Sequence, residues 1–326
     1  MKRLLCALLA CMLLILSCAC GKISGSDDRW PVLVGDTTFT HVPKRVISLS
    51  PALTDTLFAL GYGGRIVGVS DYCALPETAQ DTAACGTALR PDTDTLLQLE
   101  PDIIFCSAIL PTETMKSLEA AGIQIVVVTR AQTLDGILEN YRLLCSAFEG
   151  SEMGTLKAEQ LSLFVNTTLD YVNAAVSAAL LPEENKAIYL RQMPFVMATG
   201  DTLEGKLLTE MGFINQGDAY TDWNYPLSAE PDLNPNYIFC DVSISLESLQ
   251  RSDYFKRTSA MTHERVYTFD ASMFERQSPG MFLALENLMK DAFPDAFSAP
   301  KPSFVMDIPL PTPAPEKSWW QKLFSK

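Results

Sequence analysis

The stretch Arg45-Val-Ile-Ser-Leu-Ser-Pro-Ala-Leu-Thr-Asp-Thr-Leu-Phe-Ala-Leu-Gly61 decides the fold. Its first residues predict a short buried strand, and Pro51 stands at a natural first helical position with Ser50 before it as a possible cap. The predicted helix ends at the glycine. Ile66-Val-Gly-Val69 then predicts a second strand. Strand, helix and strand in this order are typical of a parallel α/β layer.

The same alternation extends through two blocks of the chain, residues 41–149 and 182–297. Between them, residues 156–180 contain no Pro or Gly, and their apolar residues recur close to the helical period. A helix of about 25 residues spans nearly 40 Å, which suits a bridge between two lobes. We therefore expect an α/β fold of two lobes joined by one long α-helix within residues 150–181, with a ligand cleft between the lobes.

One short similarity indicates that the two lobes are structurally related. Leu99-Glu-Pro-Asp-Ile-Ile-Phe-Cys106 in the first block matches Leu233-Asn-Pro-Asn-Tyr-Ile-Phe-Cys240 in the second. Both copies predict a strand that ends in a cysteine. A cysteine that ends an apolar strand is usually a buried free thiol, whereas Cys73 and Cys85 flank a loop and could form a disulfide.

The N-terminus has the pattern of an export signal. Lys2 and Arg3 precede an apolar run, residues 4–16, that is too short to cross a bilayer but has the length of a signal-peptide core. The small residues and cysteines that follow resemble the lipobox of bacterial lipoproteins, with Cys20 or Cys18 as the lipidated residue. We expect a signal peptide over residues 1–20, a tether over 21–40, and a mature protein anchored by lipid outside the cytoplasm.

The C-terminal residues 298–326 differ in composition from the rest of the chain. Six prolines between Pro300 and Pro315 predict a stiff, extended tail, which ends in Trp319-Trp320. Two interpretations of the tip remain open: an unstructured end, or a short amphipathic segment that contacts membrane or the second lobe.

Composition excludes several functions. The chain has 39 acidic against 25 basic residues and a net charge of −14, which argues against nucleic-acid binding. With only two histidines, His41 and His263, a metal site built on several His ligands is not expected. No phosphate-binding, dinucleotide or hydrolase motif occurs. We predict a monomeric protein that is not an enzyme and has no cofactor and no metal site.

The cleft should be lined by loops at the carboxyl ends of the strands, because ligands of open α/β sheets bind there. These loops carry aromatic side chains, which offer flat apolar contact, and arginines, which can pair with polar ligand groups. The candidate ligand-binding residues are Tyr72, Arg90, Arg191, Phe195, Trp223, Tyr225, Phe274 and Arg276.

Three motifs in this order resemble the periplasmic binding proteins for cobalamin and ferric siderophores. They are Lys44–Asp55, Gly68-Val-Ser-Asp-Tyr72 and Leu99–Ile104, and Phe274-Glu-Arg-Gln-Ser-Pro279 resembles the C-terminal signature of the cobalamin-binding members. The similarity covers about residues 42–294. It implies two Rossmann-like lobes, a transported ligand in the cleft and delivery to the permease and ATPase of an ABC importer.

The resemblance also implies roles for individual residues. Tyr72 and Trp223 match aromatics that contact the corrin ring, and Asp94 and Glu230 match the acidic residue of each lobe that docks to the permease. One departure is that Ala88 stands where the cobalamin binder presents a tryptophan, with Arg90 close by. The loss of a stacking surface and the gain of a charge favour an anionic iron chelate at this position.

Several functions therefore remain in competition. The first is a binding protein for cobalamin or another corrinoid, and the second is a ferric-siderophore or haem binder of the same class. An enzyme on a related two-lobed fold would need clustered cysteine ligands, which the scattered cysteines do not provide. A lipoprotein that uses the fold for adhesion or sensing is the remaining alternative.

Overall fold

The computed structural model describes residues 29–73, 75 and 79–301. The predicted signal peptide, the candidate lipidation sites Cys18 and Cys20, and the tail from residue 302 onward lie outside the described residues. Within the described part, no helix is long and apolar enough to cross a membrane.

The first lobe is built on a parallel sheet of five strands in the order β5-β4-β3-β8-β9. Its central strand β3 is buried on both faces, which requires the uninterrupted apolar sequence seen there. The strands of this half of the chain are β1 Val32–Val34, β2 Thr37–Phe39, β3 Val46–Ser48, β4 Ile66–Val69, β5 Ala83–Ala84, β6 Gly86–Thr87, β7 Arg90–Pro91, β8 Ile103–Cys106 and β9 Gln124–Val127. The helices are α1 Pro51–Ala59, α2 Thr93–Gln98, α3 Thr112–Ala120 and α4 Leu134–Glu149.

The second lobe has a mixed sheet in the order β11-β10-β13-β14, and β12 pairs with the first residues of β10. β11 is antiparallel to β10, whereas the other pairs are parallel. The strands are β10 Lys186–Gln192, β11 Val196–Met197, β12 Ile214–Asn215, β13 Tyr237–Asp241 and β14 Val266–Phe269. The helices are α6 Leu203–Glu210, α7 Leu246–Arg251, α8 Ser259–Thr262, α9 Ala271–Glu275 and α10 Pro279–Ala292.

The predicted bridging helix is present as α5, Ser151–Ala179, a helix of 29 residues and therefore about 44 Å long. It follows α4 after a single residue, Gly150, which has a φ of +82° that glycine adopts without cost. Gly154 lies so close to the α4 backbone that a Cβ would fall 2.5 Å from the Cα of Ser146. The two glycines let α5 turn back along α4 before it runs to the second lobe.

The core is continuous across both lobes. One buried cluster contains Phe105 of the first sheet, Leu161 and Val172 of α5, Phe239 of the second sheet and Phe282 of α10. The only covalent link between the lobes among the described residues is the segment around α5, but packing of α10 adds a second joint. The two lobes are consequently held in one arrangement by shared apolar burial.

Two boundaries and one pairing differ from the sequence predictions. Residues 32–39 of the predicted tether form the β1–β2 hairpin, and Val32, Val34 and Phe39 are buried against the first lobe. The predicted tail begins later, since Tyr171 of α5 donates a hydrogen bond to the Ala299 carbonyl at 3.0 Å. The suggested disulfide is absent, because Cys73 and Cys85 are both free thiols.

The repeated cysteine strands have matching places in the two sheets. β8 lies between β3 and β9, and β13 lies between β10 and β14, so both are interior strands. Cys106 and Cys240 are fully buried free thiols, as predicted. Interior strands pack on both faces, which explains why the shared Ile-Phe-Cys sequence is apolar throughout.

Candidate ligand-binding cleft

The floor of the cleft lies at the carboxyl ends of β3, β8 and β9, where the segment after α9 of the second lobe closes over them. A cavity of about 50 Å³ occupies this floor. Its polar lining includes Ser50, Ser107, Thr129, Asn140 and Arg130 of the first lobe and Glu275, Arg276 and Gln277 of the second.

A buried ion pair forms a joint between the two lobes at the floor of the cleft. Arg276 donates to Asp55 of α1 at 2.8 Å, and both side chains are only 13% exposed. Burial raises the pKa of Asp55, and the neighbouring Arg276 charge opposes that rise. Arg276 was predicted to contact ligand, but the structure places it in this lobe joint, because its guanidinium is already paired with a buried carboxylate.

Gln277 completes the joint with hydrogen bonds to the backbone of the first lobe. Its side-chain oxygen accepts from the Ala131 N–H at 2.9 Å, and its amide nitrogen donates to the Ala131 carbonyl at 2.8 Å. The Tyr141 hydroxyl donates to the Gln277 carbonyl at 2.7 Å. Gln277 has a φ of +51°, a conformation that a non-glycine residue adopts only where its surroundings hold it.

A second ion pair across the lobes was not predicted from the sequence. Arg130, in the loop after β9, donates to Glu204 of α6 at 2.7 Å. The Glu204 side chain is 3% exposed, whereas Arg130 retains about a third of its surface. Neither residue belongs to a sequence motif. The position of Arg130 directly after a strand is the only signal that could have indicated this ion pair.

A third ion pair lies on the wall formed by the second lobe. Arg191, at the end of β10, pairs with Glu275 at the end of α9. The Arg191 guanidinium also lies 5.5 Å from the centre of the Trp223 ring, within the range of a cation–π interaction. Burial raises the pKa of Glu275, and the charges of Arg191 and Arg130 lower it in part. The structure thus brings the predicted residues Arg191 and Trp223 together.

Trp223 is presented by an unusual turn. Asp222 and Trp223 have consecutive positive φ values of +59° and +61°, which is rare for a residue as bulky as tryptophan. Asp201 holds the turn, because its carboxylate accepts from the Asp222 N–H at 3.1 Å and from the Thr199 hydroxyl at 2.6 Å. The Thr199 hydroxyl oxygen in turn accepts from the Trp223 N–H at 3.2 Å.

The rim of the first lobe is apolar. Tyr72 follows β4 and is 47% exposed, and two side chains that the sequence analysis did not select, Leu89 and Ile109, are more than 70% exposed. Ala88 is buried in the first lobe, so Leu89 is the residue that projects from this loop. Arg90 is exposed at the end of the same hairpin.

A model of the periplasmic binding protein family matches residues 46–273. The chain belongs to this family. It is 24% identical over 288 residues to an ABC transporter substrate-binding lipoprotein of Bacillus subtilis, covering 85% of this chain and 90% of that protein. The chain is thus a substrate-binding protein of the ABC-importer class.

Two solved structures of this periplasmic binding protein fold are similar to the chain. The vitamin B12-binding protein of Vibrio cholerae superposes with a TM-score of 0.60 at 21% identity, covering 79% of this chain and 99% of that one. A haem-binding protein from Roseiflexus superposes with a TM-score of 0.62 at 23% identity, covering 78% and 99%. At these identities the likeness concerns the fold, and the ligand must be argued from the cleft.

Of three further predicted ligand contacts, Tyr225 and Phe274 lie in the core and Phe195 packs against it. Tyr225 is 4% exposed and donates its hydroxyl hydrogen to the Ala229 carbonyl at 2.9 Å. Phe274 is 3% exposed and packs 4.9 Å from the Phe269 ring centre. Phe195 is partly buried, 4.8 Å from the ring centre of Tyr254. The rings of Tyr225 and Phe274 pack against protein, and a ligand contact by either residue remains a prediction.

The two residues predicted to dock to the permease lie on different lobes. Asp94 is exposed in the first turn of α2, where the preceding Asp92 caps the helix. Glu230 is half-buried in a 3₁₀ turn, Leu227–Asp232. One acidic residue on each lobe is the arrangement expected of a docking face, and it remains a prediction.

Proposed function

We propose that this substrate-binding protein delivers cobalamin or a related corrinoid to the permease of an ABC importer, and that a lipid on Cys20 or Cys18 anchors it outside the cytoplasm. The charge balance of the cleft is the observation that supports a corrinoid ligand. Arg130, Arg191 and Arg276 are each paired with a carboxylate. The floor therefore offers no unbalanced positive charge to an anionic chelate.

A corrinoid fits this charge balance because its rim carries amide side chains without net charge. The hydroxyl and amide groups of Ser50, Ser107, Thr129 and Asn140 can both donate and accept hydrogen bonds to such groups. Anionic ferric chelates would also approach a chain with a net charge of −14, whose field opposes their association. The paired charges of the floor thus favour an uncharged ligand over the anionic chelate that Ala88 and Arg90 suggested from the sequence.

The apolar surfaces of the cleft suit a large, flat ligand. Trp223 stands on one lobe, and Tyr72, Leu89 and Ile109 stand on the rim of the other. Aromatic faces supply extensive contact with a macrocycle at little cost in conformational entropy. A ligand held between the lobes would touch both walls and the polar floor.

The test is a titration of the full-length protein in mild detergent with cyanocobalamin, haemin and ferric citrate, followed by calorimetry. We expect micromolar or tighter binding of cyanocobalamin and weaker binding of the two anionic iron compounds. Tight binding of haemin or ferric citrate, with no heat from cyanocobalamin, would reject the corrinoid assignment and leave the family assignment intact.

Haem is the second candidate, and one observation favours it. The Tyr72 side chain is half-exposed at the cleft rim, and a tyrosine phenolate is an established axial ligand of haem iron. If haem is the ligand, the absorption spectrum of the complex should show a tyrosinate charge-transfer band that Tyr72→Phe removes. Cyanocobalamin binding should, in contrast, survive this substitution with only a small loss.

The anchor is tested by fractionating cells that express the chain with Cys20→Ala, Cys18→Ala or both changes. We expect the intact protein in the membrane fraction and release into the soluble extracytoplasmic fraction for the variant that lacks the lipidated cysteine. Incorporation of labelled fatty acid into the double variant at the wild-type level would show that these cysteines do not carry the lipid.

A further inference from the structure

The three arginine–carboxylate pairs of the cleft differ in how much of each partner a ligand can reach. Asp55 and Arg276 are both 13% exposed, and Glu204 is 3% exposed beneath Arg130. In the third pair, Arg191 is 40% and Glu275 32% exposed. Of the three, this pair presents both a cation and an anion to the cleft.

The position of this pair places both charges beside a ligand. Glu275 lines the cavity at the cleft floor, and Arg191 lies against the Trp223 ring. A macrocycle stacked on Trp223 would therefore bring its rim substituents to the pair. The pKa of Glu275 also responds to the charges of Arg130, Glu204 and Asp241. Of these, Arg130 and Glu204 are already paired with each other.

An ion pair in which both the cation and the anion are exposed can form hydrogen bonds with both polar groups of a primary carboxamide. The carbonyl oxygen of the amide can accept from the guanidinium, and its NH₂ group can donate to the carboxylate. A ligand carboxylate at the same place can accept from Arg191 but is repelled by Glu275 and has no hydrogen to donate. The carboxylate of Glu275 is thus the element that distinguishes the two groups.

We propose that the Arg191–Glu275 pair selects ligands whose rim bears primary carboxamides and rejects the same ligands when a carboxamide is replaced by a carboxylate. This inference rests on the proposed corrinoid function and names its substrate class more closely. It predicts that the protein takes up completed, amidated corrinoids and discriminates against incompletely amidated ones. The reaction that supplies its ligand must therefore lie after amidation of the ring substituents.

The test compares cyanocobalamin with its monocarboxylic acids, which mild acid hydrolysis produces by converting one peripheral amide to a carboxylate. Calorimetry at pH 7 on the full-length protein gives the ratio of the two dissociation constants. For the acid whose carboxylate reaches the pair, we expect about tenfold weaker binding than for cyanocobalamin, the loss typical of one charge-assisted hydrogen bond. Glu275→Gln should reduce this ratio to about one or invert it, because Arg191 is then unopposed.

Glu139→Gln is the matched control, since Glu139 pairs with Arg142 on the exposed face of α4 and neither residue lines the cavity. It should leave the ratio unchanged. If the wild-type protein binds cyanocobalamin but every monocarboxylic acid binds equally well, or if Glu275→Gln leaves the ratio unaltered, the inference is overturned and the proposed function stands. If cyanocobalamin does not bind at all, the proposed function fails and the inference fails with it.

Discussion

The two walls of the cleft are built by different means. The wall of the first lobe stands on a regular parallel sheet, and its rim is formed by apolar side chains on short loops after the strands. The wall of the second lobe combines an antiparallel hairpin, a turn with two left-handed residues, and a paired arginine and glutamate. The first wall supplies shape, and the second supplies fixed polar and aromatic groups.

The difference indicates where specificity resides. Loops that carry only exposed apolar side chains can adapt to several flat ligands, whereas Trp223 and the Arg191–Glu275 pair are fixed by hydrogen bonds and charge. Pre-organised groups lose little freedom on binding and therefore contribute more per contact. Three changes test this comparison, beginning with the joint that holds the walls together.

The largest expected effect is on stability, from Asp55→Asn in the joint between the walls. The change leaves the Arg276 charge buried without a countercharge, and breaking one partner of such a pair costs about 3 kcal/mol. Urea unfolding at pH 7 measures this loss as a lower midpoint at constant slope.

Glu247→Gln is the control for this change. Its partner Arg251 is 78% exposed on α7, so removing the pair should cost less than about 0.5 kcal/mol. Equal midpoints for the two variants would mean that the joint carries no more energy than a surface pair. The walls would then be held in place by the apolar core alone.

The next effect is on ligand affinity, where Trp223→Ala is compared with Tyr72→Ala. We expect about a 30-fold loss of cyanocobalamin affinity for the first and about a fivefold loss for the second, because central, immobilised aromatics dominate binding energy. Calorimetry measures both, and Trp223→Phe should recover most of the loss. A larger loss from Tyr72→Ala would reverse the comparison and assign the main contact to the first lobe.

The regular parts of both lobes could be predicted from sequence because their signals are local. β4 coincides with the predicted strand Ile66–Val69, α1 begins at the predicted Pro51, and α5 lies within the predicted residues 150–181. The β10–β11 hairpin and the short strand β12 were missed. Two-residue strands carry no periodicity, and their pairing depends on the neighbouring strand β10.

The candidate site was harder to predict, for a physical reason. Sequence patterns identify residues that follow strands, and this located Arg191 and Trp223. They do not reveal partners, and Arg276 finds its carboxylate 221 residues earlier in the chain. Arg130 and Glu204 were missed because an ion pair across the cleft depends on how the two lobes pack. The pairing of Glu275 with Arg191 was missed because it depends on how α9 packs beside β10 within the second lobe. The burial of Phe274 was not foreseen, because a core aromatic and a binding aromatic look alike in sequence.

The smallest effect concerns Asp201, which holds the turn that presents Trp223. Hydrogen bonds from Thr199 and the Asp222 N–H keep the pKa of Asp201 below its ordinary value. A lowered folded-state pKa stabilises the turn above the ordinary carboxyl pKa of about 3.9, and that contribution is lost as pH falls through the lowered value. Wild-type affinity should therefore hold from pH 7 to about 5 and decline below about 4.

Asp201→Asn removes the ionisable carboxyl group from the turn. The ratio of wild-type to variant affinity should therefore approach one as the pH is lowered. The pH dependence that all other groups contribute is the same in both proteins and cancels in this ratio. Asp253→Asn is the control, because the pKa of Asp253 is also lowered, by Lys256, and Asp253 forms no part of the turn. A ratio that is constant with pH would show that Trp223 keeps its conformation without the carboxylate. The fixed geometry of the second wall would then come from packing against Tyr189, whose ring centre lies 5.8 Å from that of Trp223.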